Sequence, residues 1–502
     1  MPSTDDIAQP QVVEDPGAPI DGHTRIEELS TATEEEESEP SSDSEDDDGM
    51  NVHGWMGAKV PGKVPGKVPA LYTTRPILKD ELVTPTSIAQ DKVVEEVLPF
   101  MSGKDPEILE LNSHGLPALL RRKHIKFCQY GLGKFPSQFQ AMDASRPWLL
   151  YWNLAAMSFL GEDLGRWRER VIQTFTPMQN PDGGFGGGHG QLSHCAASYA
   201  ATLSLALVGG LDIVDRRTMW QWLGSVKQKD GGFAMAIGGE EDVRGAYCAM
   251  TIHSLLNLPM ELPPNSPARV NGDETFLTNL GEWISSCQTY EGGIGSAPDN
   301  EAHGAYAFCS LACLCLMDAP HKSINKWLNV PKLLAWLSSR QQAPEGGFQG
   351  RTNKLVDACY SHWVGGCWAL LEAAIAGPGK HEEFSLCDRE GLVRYTLCCS
   401  QQKKGGLRDK PSCRADGYHT CYSLAGLSAA QNHYYYEEKE EAVMSNGLTA
   451  AFKWRCTRVT PEQRAKLAFD EGDTVGLVHP VFVIPPEFVE RTRKQFQDKV
   501  GF

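Results

Sequence analysis

Pairs of adjacent glycines recur five times along this chain and constrain its fold more than any other feature of the sequence. They stand in QNPDGGFGGG, KQKDGGFAMA, CQTYEGGIGS, QQAPEGGFQG and SQQKKGGLRD, with second glycines at Gly184, Gly232, Gly293, Gly347 and Gly406. Because glycine tolerates positive φ, each pair predicts a tight turn. An Ala-, Leu- and Cys-rich helix follows each turn, and an amphipathic helix such as RTMWQWLGSV leads to the next. The unit is a helical hairpin of about 50 residues, which predicts an all-α repeat fold.

A polar residue stands ten positions after the second glycine of every repeat, where the apolar helix begins. These residues are His194, Asp242, His303, Asp357 and Asp416. Two positions further come Ala196, Arg244, Ala305, Cys359 and Tyr418, and one further in the last three repeats come Tyr306, Tyr360 and His419. Helix capping is the alternative for Asp242 and Asp416, but His is a poor cap, so capping does not explain the whole column. If the hairpins close into a toroid, these helix starts meet at one rim, where free N–H groups favour an anion.

The fourth and fifth repeats together suggest a metal site. Asp357, Cys359 and His419 offer O, S and N ligands, and three protein ligands leave a fourth position for water or substrate, as in catalytic zinc sites. On spacing alone the signal is weak, since D-x-C occurs by chance and the chain has 14 histidines. A structural Cys₄ or Cys₂His₂ zinc site fits less well, because Cys398 and Cys399 are adjacent and no C-x₂-C pair exists.

Two other features point to a ligand rather than to packing alone. Arg351 and Lys354 come just before the candidate metal ligands, and cations suit a phosphorylated ligand. Trp148 and Trp152 lie four residues apart in RPWLLYWNLAAMSFLGE and therefore share one helix face. Paired tryptophans are usually part of a core, and a ligand wall is the alternative.

The two ends of the chain differ from the repeats in composition. Residues 1–58 are acidic and Ser/Pro-rich, with 17 Asp/Glu and one Arg in the first 50, so they predict a solvated, disordered tail. A regulated docking tail is the alternative. Residues 59–83 contain K-V-P-G repeats and predict a linker. We expect a folded domain over 84–490 and a C-terminal tail over 491–502.

Charge and hydropathy exclude several classes of protein. The net charge is -17, but the tail carries -16 of it, and the nearly neutral remainder argues against a nucleic-acid binder. No run of 18 apolar residues predicts a membrane span, and no apolar stretch near the start predicts a signal peptide. The 15 cysteines show no disulfide-like spacing, so we expect buried free thiols in a reduced, cytoplasmic protein.

Four segments, taken with the glycine turns, resemble the β subunits of protein farnesyltransferases. They are DASRPWLLYW (143–152), EAHGAYAFC (301–309), GRTNKLVDACYSHW (350–363) and DGYHTCYSLAGLS (416–428). The resemblance covers residues 84–490 and indicates a fungal-type member with an acidic N-terminal extension. It implies an α–α barrel of six helical hairpins and an obligate heterodimer with a helical-repeat α subunit. It also implies transfer of farnesyl from farnesyl diphosphate to the cysteine of C-terminal Cys-a-a-X (CaaX) sequences, as in small GTPases, with one zinc and also magnesium.

The resemblance also implies roles for the positions that match its motifs. The zinc ligands would be Asp357, Cys359 and His419, with Asp409 as the magnesium contact. The diphosphate contacts would be His303, Arg351, Lys354 and the catalytic Tyr360, and the isoprenoid site would include Tyr247, Tyr306, Trp363, Gly304, Ala305 and Arg244. The peptide would meet Trp148, Trp152 and Tyr418, with His194 and Arg244 near its C-terminal end, and Trp148 and Tyr422 would limit isoprenoid length. One departure is Cys413, which stands where the family pattern DKPxK has lysine, with Arg414 as the other source of charge.

These residue types suit the implied reaction. A free thiol, with a pKa of about 8.5, is mostly protonated at neutral pH, and zinc favours the thiolate nucleophile. Diphosphate leaves only if its growing negative charge is matched by cations and hydrogen-bond donors. Aromatic walls offer a polyprenyl chain a large apolar area.

Three other functions stay open on the sequence alone. A non-catalytic helical scaffold explains the repeats but not the cations, ligands and aromatics at equivalent positions. A terpene cyclase shares glycine turns and an α–α barrel but needs an acidic motif, and the barrel region has no DDxxD. A geranylgeranyltransferase β subunit is the closest competitor within the resembling family.

Overall fold

The computed structural model of the protein describes residues 68–75, 82–102, 110–135, 137–380, 385–439 and 442–502. The predicted tail and most of the predicted linker lie outside the described residues. The helices are α1 Pro85–Met101, α2 Arg121–Gly131, α3 Arg146–Phe159, α4 Arg168–Phe175, α5 Cys195–Val208, α6 Arg216–Val226, α7 Val243–Leu255, α8 Leu280–Ser286, α9 Gly304–Met317, α10 Pro320–Trp327, α11 Val330–Ser338, α12 Tyr360–Trp363, α13 Gly365–Ala376, α14 Arg389–Arg394, α15 Gly417–Gln431, α16 Pro461–Lys466 and α17 Pro486–Phe496. Two antiparallel strands, β1 Asn432–Tyr436 and β2 Trp454–Arg458, complete the elements used below.

The helices form two concentric rings. The inner ring consists of α3, α5, α7, α9, the consecutive pair α12–α13, and α15, and each member contacts the next. Helix α15 packs against α3, so the inner ring closes. Inner helices such as α5 and α9 are buried on nearly all sides, which matches their uniformly apolar sequences. With α2, α4, α6, α8, α11 and α14 outside, the described residues confirm the α–α barrel of six helical hairpins.

The glycine pairs hold each hairpin against the outer helix that follows it. The first glycine of every pair has a positive φ, between 73° and 111°, at Gly183, Gly231, Gly292, Gly346 and Gly405. A Cβ on the second glycine would lie 3.1 Å or less from an aromatic ring of the next outer helical segment: Trp222, Trp283, Trp336, Tyr395 or Phe127. Phe127 belongs to α2, so the fifth turn closes the ring against the first outer helix. These close approaches explain why both positions are glycine.

A glutamine at the start of four of these turns joins consecutive hairpins. Its Oε1 accepts the N–H of the residue that precedes the next outer helix: Asp215 for Gln179 (3.3 Å), Asn329 for Gln288 (2.8 Å), Asp388 for Gln341 (2.9 Å) and Leu120 for Gln401 (2.8 Å). In the second repeat Lys227 takes this place, and its Nζ donates to the Gly231 carbonyl (2.6 Å). Because lysine has no acceptor, that repeat lacks the link that glutamine provides.

We expect Gln401→Ala to be the most destabilising substitution in this set, because Gln401 closes the ring and is fully buried. Its side chain accepts from Leu120 N–H and His124 Nε2 (2.9 Å), and donates to Ala118 and Leu397 carbonyls (3.2 and 2.9 Å). Leaving these buried groups unpaired should cost about 3 kcal/mol. The shift of the thermal unfolding midpoint measures the effect. The control is Gln288→Ala in a half-exposed turn, and equal shifts for the two variants would contradict this prediction.

Several described parts of the chain lie outside the hairpin pattern. The β1–β2 hairpin follows the last inner helix, and residues 475–484 run past the C-terminal ends of inner helices, as shown by the hydrogen bonds of Gly476 N–H to Phe159 O (2.6 Å) and of Val475 N–H to Gln431 Oε1 (2.9 Å). Helix α17 continues through residue 490, where we placed the domain boundary, and ends at Phe496. None of the described helices is both long and apolar enough to span a bilayer.

Candidate active site

The polar residue at the start of each inner helix caps the backbone in all five repeats. The side chains accept backbone N–H groups as follows: His194 Nδ1 from Ala196 (3.2 Å), Asp242 from Arg244 (2.7 Å), His303 Nδ1 from Ala305 (3.0 Å), Asp357 from Cys359 (2.8 Å) and Asp416 from His419 (2.7 Å). The expectation that histidine cannot share this role was therefore wrong. The Nδ1 lone pair of a neutral imidazole accepts the same N–H that an aspartate oxygen accepts.

In the first three repeats the first N–H groups of the inner helices are not free, which corrects a second expectation for these helices. They donate to carbonyls in the rim loop of the following repeat: Cys195 N–H to Met235 O (2.7 Å), Val243 N–H to Ser296 O (2.8 Å) and Gly304 N–H to Gly350 O (2.9 Å). With Ala305 N–H held by His303, the Gly304–Ala305 backbone is committed to structure. An anion at this rim must therefore be bound chiefly by side chains.

Asp357, Cys359 and His419 converge at the rim between the fourth and fifth repeats. One ligand atom from each lies within 4.8 Å of the other two, and His419 Nε2 is 3.3 Å from Asp357 Oδ1. On the other side of the ring, His419 Nδ1 lies 2.7 Å from Asp416 Oδ2. That contact orients the imidazole so that Nε2 faces the cluster, as a carboxylate does for metal-binding histidines.

The electrostatics of the three side chains fit a divalent cation. Burial first, and then the charge of Asp357, raise the pKa of the Cys359 thiol well above its usual range. Burial alone would raise the pKa of Asp357, but His419 and then Lys410 hold it well below its usual range. Burial alone would lower the pKa of His419, but Asp416 and Asp357 raise it well above its usual range. A carboxylate and a buried thiol side by side are unfavourable without a cation, and the O, S and N donors suit zinc.

A cluster of hydrogen-bond donors and cations lies next to this triad. Tyr360 follows Cys359 directly, and its hydroxyl is 3.1 Å from His303 Nε2. The Tyr360 ring lies over Gly350, where a Cβ would clash with the ring. Arg351 Nη1 forms an ion pair with Glu301 (3.1 Å), and Lys354 is exposed. The structure thus brings one hydroxyl, one imidazole and two cations to the same rim, as a diphosphate site requires.

Asp409 lies close by and has unfilled acceptor capacity. Its Oδ2 contacts Lys410 and the Cys413 thiol (3.7 Å), whereas its buried Oδ1 has no hydrogen-bond partner among the described residues. Burial, and then the charge of Asp357, raise the pKa of Asp409 to about 7. An orphaned buried carboxylate oxygen fits a cation contact. Lys410 provides the cation that contacts Asp409, while Arg414 is exposed.

Eight aromatic side chains among the described residues form a closed belt inside the barrel. Each ring lies 4.4–6.0 Å, centroid to centroid, from the next in the order Trp152, Trp148, Tyr199, Tyr247, Phe308, Trp363, Tyr422, Tyr418 and back to Trp152. Every inner-ring position contributes at least one ring. Trp363 Nε1–H also donates to Tyr418 OH (3.0 Å). The paired Trp148 and Trp152 are therefore part of a continuous aromatic wall.

Two members of the belt, Tyr199 and Phe308, were not among the candidates from the sequence. Both stand fifteen residues after the second glycine of their repeat, the same offset as Tyr247. The repeat alignment that revealed the polar residues would also have revealed Tyr199 and Phe308 if the aromatic residues at this offset had been compared. Equivalent helical positions face the same interior in a closed repeat ring.

Arg244, Tyr306 and His194 lie at the rim rather than in the belt. Arg244 forms a two-point ion pair with Asp242 (2.7 and 3.0 Å), and its guanidinium lies 5.3 Å from the Tyr306 ring. The Tyr306 ring is 5.0 Å from that of His303. The pKa of His194 is lowered chiefly by burial, so the ring is neutral at pH 7. These side chains border the site, and Tyr306 contacts it through His303.

His362 is not part of the metal cluster despite its position near Cys359. Its ring stacks on Tyr422 (5.2 Å) and lies 4.4 Å from Phe308. Its Nε2 is buried and has no hydrogen-bond partner in the part of the chain that the structure describes, and burial lowers its pKa to about 3. It therefore packs behind the aromatic belt as a neutral ring.

Comparisons with known proteins agree with this arrangement. Residues 119–484 match the model of the prenyltransferase α–α toroid domain family. The chain is 50% identical over 445 residues to the protein farnesyltransferase subunit β of Pyricularia oryzae, which spans 86% of this chain and 84% of that protein. It is 34% identical over 422 residues to the Schizosaccharomyces pombe protein of the same name, at 83% and 98% coverage. The fold is similar to that of a Candida albicans protein geranylgeranyltransferase-I chain, solved in complex with GGPP, with a TM-score of 0.56 and 21% identity over 76% of this chain and 100% of that one.

Proposed function

This chain belongs to the protein farnesyltransferase β-subunit family, and from that premise we propose that its barrel moves a farnesyl group from farnesyl diphosphate to a CaaX cysteine. The observation that carries the proposal is the juxtaposition, at one rim, of an Asp–Cys–His triad with a cluster of phosphate-binding groups above an aromatic belt. A scaffold protein needs none of these groups. Relatives at 50% and 34% identity favour farnesyl over geranylgeranyl transfer.

The triad would hold the metal on the thiol side of the reaction. Asp357, Cys359 and His419 supply three ligands and leave a position for the substrate sulfur. Zinc bound there would favour the thiolate form of the substrate cysteine. Asp416 holds the His419 ring so that Nε2 faces the triad, which keeps the three donors pre-aligned.

The rim cluster would act on the leaving group. As the new C–S bond forms, the C–O bond to diphosphate breaks and negative charge builds on the diphosphate oxygens. We expect hydrogen bonds and positive charge for those oxygens from Tyr360, His303, Arg351 and Lys354, and the proximity of Tyr360 to His303 supports this. Asp409, whose buried Oδ1 has no hydrogen-bond partner among the described residues, would help to hold a magnesium ion, which would supply further positive charge for the leaving group.

The belt would bind the farnesyl chain. Its rings offer continuous apolar surface, and Trp148 and Trp363 are the partly exposed members, so a ligand can reach them. Trp152 and Tyr418 contact each other (5.4 Å) where the peptide's aliphatic residues would meet the isoprenoid.

All 15 cysteines are free and buried or half-buried, which supports a cytoplasmic, reducing environment.

The proposal is tested with the chain co-purified with a farnesyltransferase α subunit, farnesyl diphosphate and a CaaX peptide. We expect transfer to the peptide thiol and one zinc per heterodimer by elemental analysis. A complex that binds no zinc, or that modifies no CaaX peptide, would refute the proposed function. The same assay with geranylgeranyl diphosphate compares the two donor classes directly.

We further expect the isolated chain to turn over at least about 100-fold more slowly than the heterodimer. Arg351 is 38% exposed and Lys354 is exposed, so solvent screens the charges that must act on diphosphate. A partner that covers the rim would strengthen them. Single-turnover rates of the chain with and without α subunit measure this. Full turnover by the isolated polypeptide would contradict the expectation.

A further inference from the structure

The end of the barrel opposite the rim is closed by the chain's own C-terminal segment. Gly476 N–H donates to Phe159 O at the end of α3, and Ser428 Oγ, near the end of α15, donates to Gly476 O (2.8 Å). Further along, Arg491 of α17 donates to Ala206 O near the end of α5. Residues 476–491 therefore run past the C-terminal ends of the neighbouring inner helices α15, α3 and α5. A ligand that enters from the rim would therefore contact the residues between Gly476 and Arg491 last.

That intervening chain contains one tightly closed turn, His479–Ile484. His479 N–H donates to Ile484 O (2.9 Å), and Val483 N–H donates to His479 O (3.0 Å). His479 Nδ1 accepts from both Val481 N–H and Phe482 N–H (3.2 Å each). Burial lowers the pKa of His479 to about 3, so the ring stays neutral and able to accept. One side chain thus satisfies two buried N–H groups and fixes the direction of the turn's carbonyls.

Those carbonyls hold the part of the aromatic belt formed by Tyr199 and Tyr247, which we call its tyrosine side. Tyr247 OH donates to Val481 O (2.6 Å), and Tyr151 OH donates to Val483 O (2.9 Å). Tyr199 OH is hydrogen-bonded to Tyr247 OH (3.1 Å), and the Tyr151 ring lies 5.9 Å from Trp148. The turn is therefore linked to consecutive members of the belt on three inner helices. The mechanism described above uses none of these hydrogen bonds.

We propose that His479 is a positioning residue that, through the turn His479–Ile484, fixes the tyrosine side of the belt and so helps to set the isoprenoid length that the barrel accepts. The inference rests on the proposed function. A polyprenyl chain is apolar and offers the tyrosine hydroxyls nothing to bond, so their direction comes from the turn. If the turn loosens, Tyr247 and Tyr151 lose their acceptors, and the belt can open toward the far end. A longer isoprenoid then fits.

The experiment uses the heterodimer with His479→Leu and His479→Asn. Leucine fills the space without an acceptor, whereas asparagine Oδ1 can take the place of Nδ1 and accept the same N–H groups. We expect the ratio of kcat/KM for farnesyl over geranylgeranyl diphosphate to fall about tenfold in His479→Leu and to stay near wild type in His479→Asn. Zinc content and the KM for the CaaX peptide should not change in either. Equilibrium binding of the two diphosphates should show the same change of preference without turnover.

His253→Leu is the matched control, because His253 is also fully buried and bonds a backbone carbonyl, that of Pro259 (2.9 Å), but lies outside the belt. It should lower the thermal midpoint without altering the donor ratio. A folded, zinc-replete His479→Leu with the wild-type ratio would overturn the inference, as would an equal change in His253→Leu. If His479→Leu does not fold, Tyr151→Phe removes one tether only, and an unchanged donor ratio in that variant overturns it instead. A wild-type complex that binds neither diphosphate would refute the proposed function and not the role of the turn.

Discussion

Replacing Cys359 with alanine should abolish zinc retention and CaaX-peptide transfer while leaving the binding of farnesyl diphosphate largely intact. The substitution removes the sulfur ligand from a three-ligand site in which His419 Nε2 and Asp357 Oδ1 are 3.3 Å apart. Loss of a residue that merely orients a ligand typically costs 10- to 100-fold in metal affinity, so loss of the ligand itself should cost more than about 100-fold. Binding of farnesyl diphosphate relies instead on the rim cations and on the belt, of which the thiol contacts Tyr418. Elemental analysis after dialysis measures the loss of zinc, and equilibrium binding of farnesyl diphosphate measures whether the donor site is intact.

Two further variants make this result specific. Cys128→Ala empties the same volume at a fully buried thiol of α2 and should retain zinc and activity. Asp416→Asn keeps an oxygen to cap His419 N–H but removes the charge beside His419 Nδ1. It should weaken zinc binding by about 10- to 100-fold without abolishing it. Stoichiometric zinc in Cys359→Ala after dialysis would show that the metal is held elsewhere.

The fold was largely predictable from the sequence because its constraints are local and repeated. A glycine pair marks each turn since the first glycine needs positive φ and the second lies under an aromatic ring. Five such marks, with one helix on either side, leave few arrangements other than stacked hairpins. The number of hairpins and the closure of the ring came from the resemblance, and the structure explains closure through Gln401 and Phe127.

The column of polar residues was found correctly but explained only in part. His194 and His303 cap helices through Nδ1, so one position serves both the backbone and the site. In His303 the two roles use different ring nitrogens, because Nδ1 accepts from Ala305 N–H while Nε2 faces Tyr360. Residue type alone does not reveal such a division, since it depends on the ring's orientation.

The closed end of the barrel could not be predicted because it depends on contacts between residues far apart in the chain. Val481 and Val483 act through backbone carbonyls, so their side chains carry no sign of the role. The segment has neither helical nor strand periodicity, and we assigned it no function.

Cys413 is a different case. Its departure from the family pattern was visible in the sequence, but its contact with Asp409 beside Lys410 required coordinates.

Trp148→Thr should move donor preference from farnesyl toward geranylgeranyl diphosphate. Trp148 comes from the first inner helix and is the partly exposed partner of a stacked tryptophan pair, 5.6 Å from Trp152 and 5.7 Å from Tyr199. Burying one more five-carbon unit in an open site gains several kcal/mol, at about 0.8 kcal/mol per CH₂. An enzyme that nevertheless prefers the shorter chain must exclude the longer one sterically. Trp148 and Trp363 are the partly exposed tryptophans of the belt, and Trp148 is the one that contacts Tyr199.

The measurement is a competition of the two diphosphates for one CaaX peptide with the heterodimer. Threonine removes the indole and with it the steric exclusion of the longer chain. We expect the farnesyl-to-geranylgeranyl ratio of kcat/KM to fall by about 100-fold or more, because even part of the free energy of burying five more carbons corresponds to a change of this size. Trp167→Thr, at a half-buried tryptophan outside the belt, is the control and should leave the ratio unchanged.

Tyr422 is the second candidate limit, but it is fully buried between Trp363 (4.4 Å) and Tyr418 (5.0 Å), so truncating it should disturb the belt before it lengthens the site. A folded Trp148→Thr variant with undiminished farnesyl preference would contradict this prediction and assign the length limit to another part of the belt.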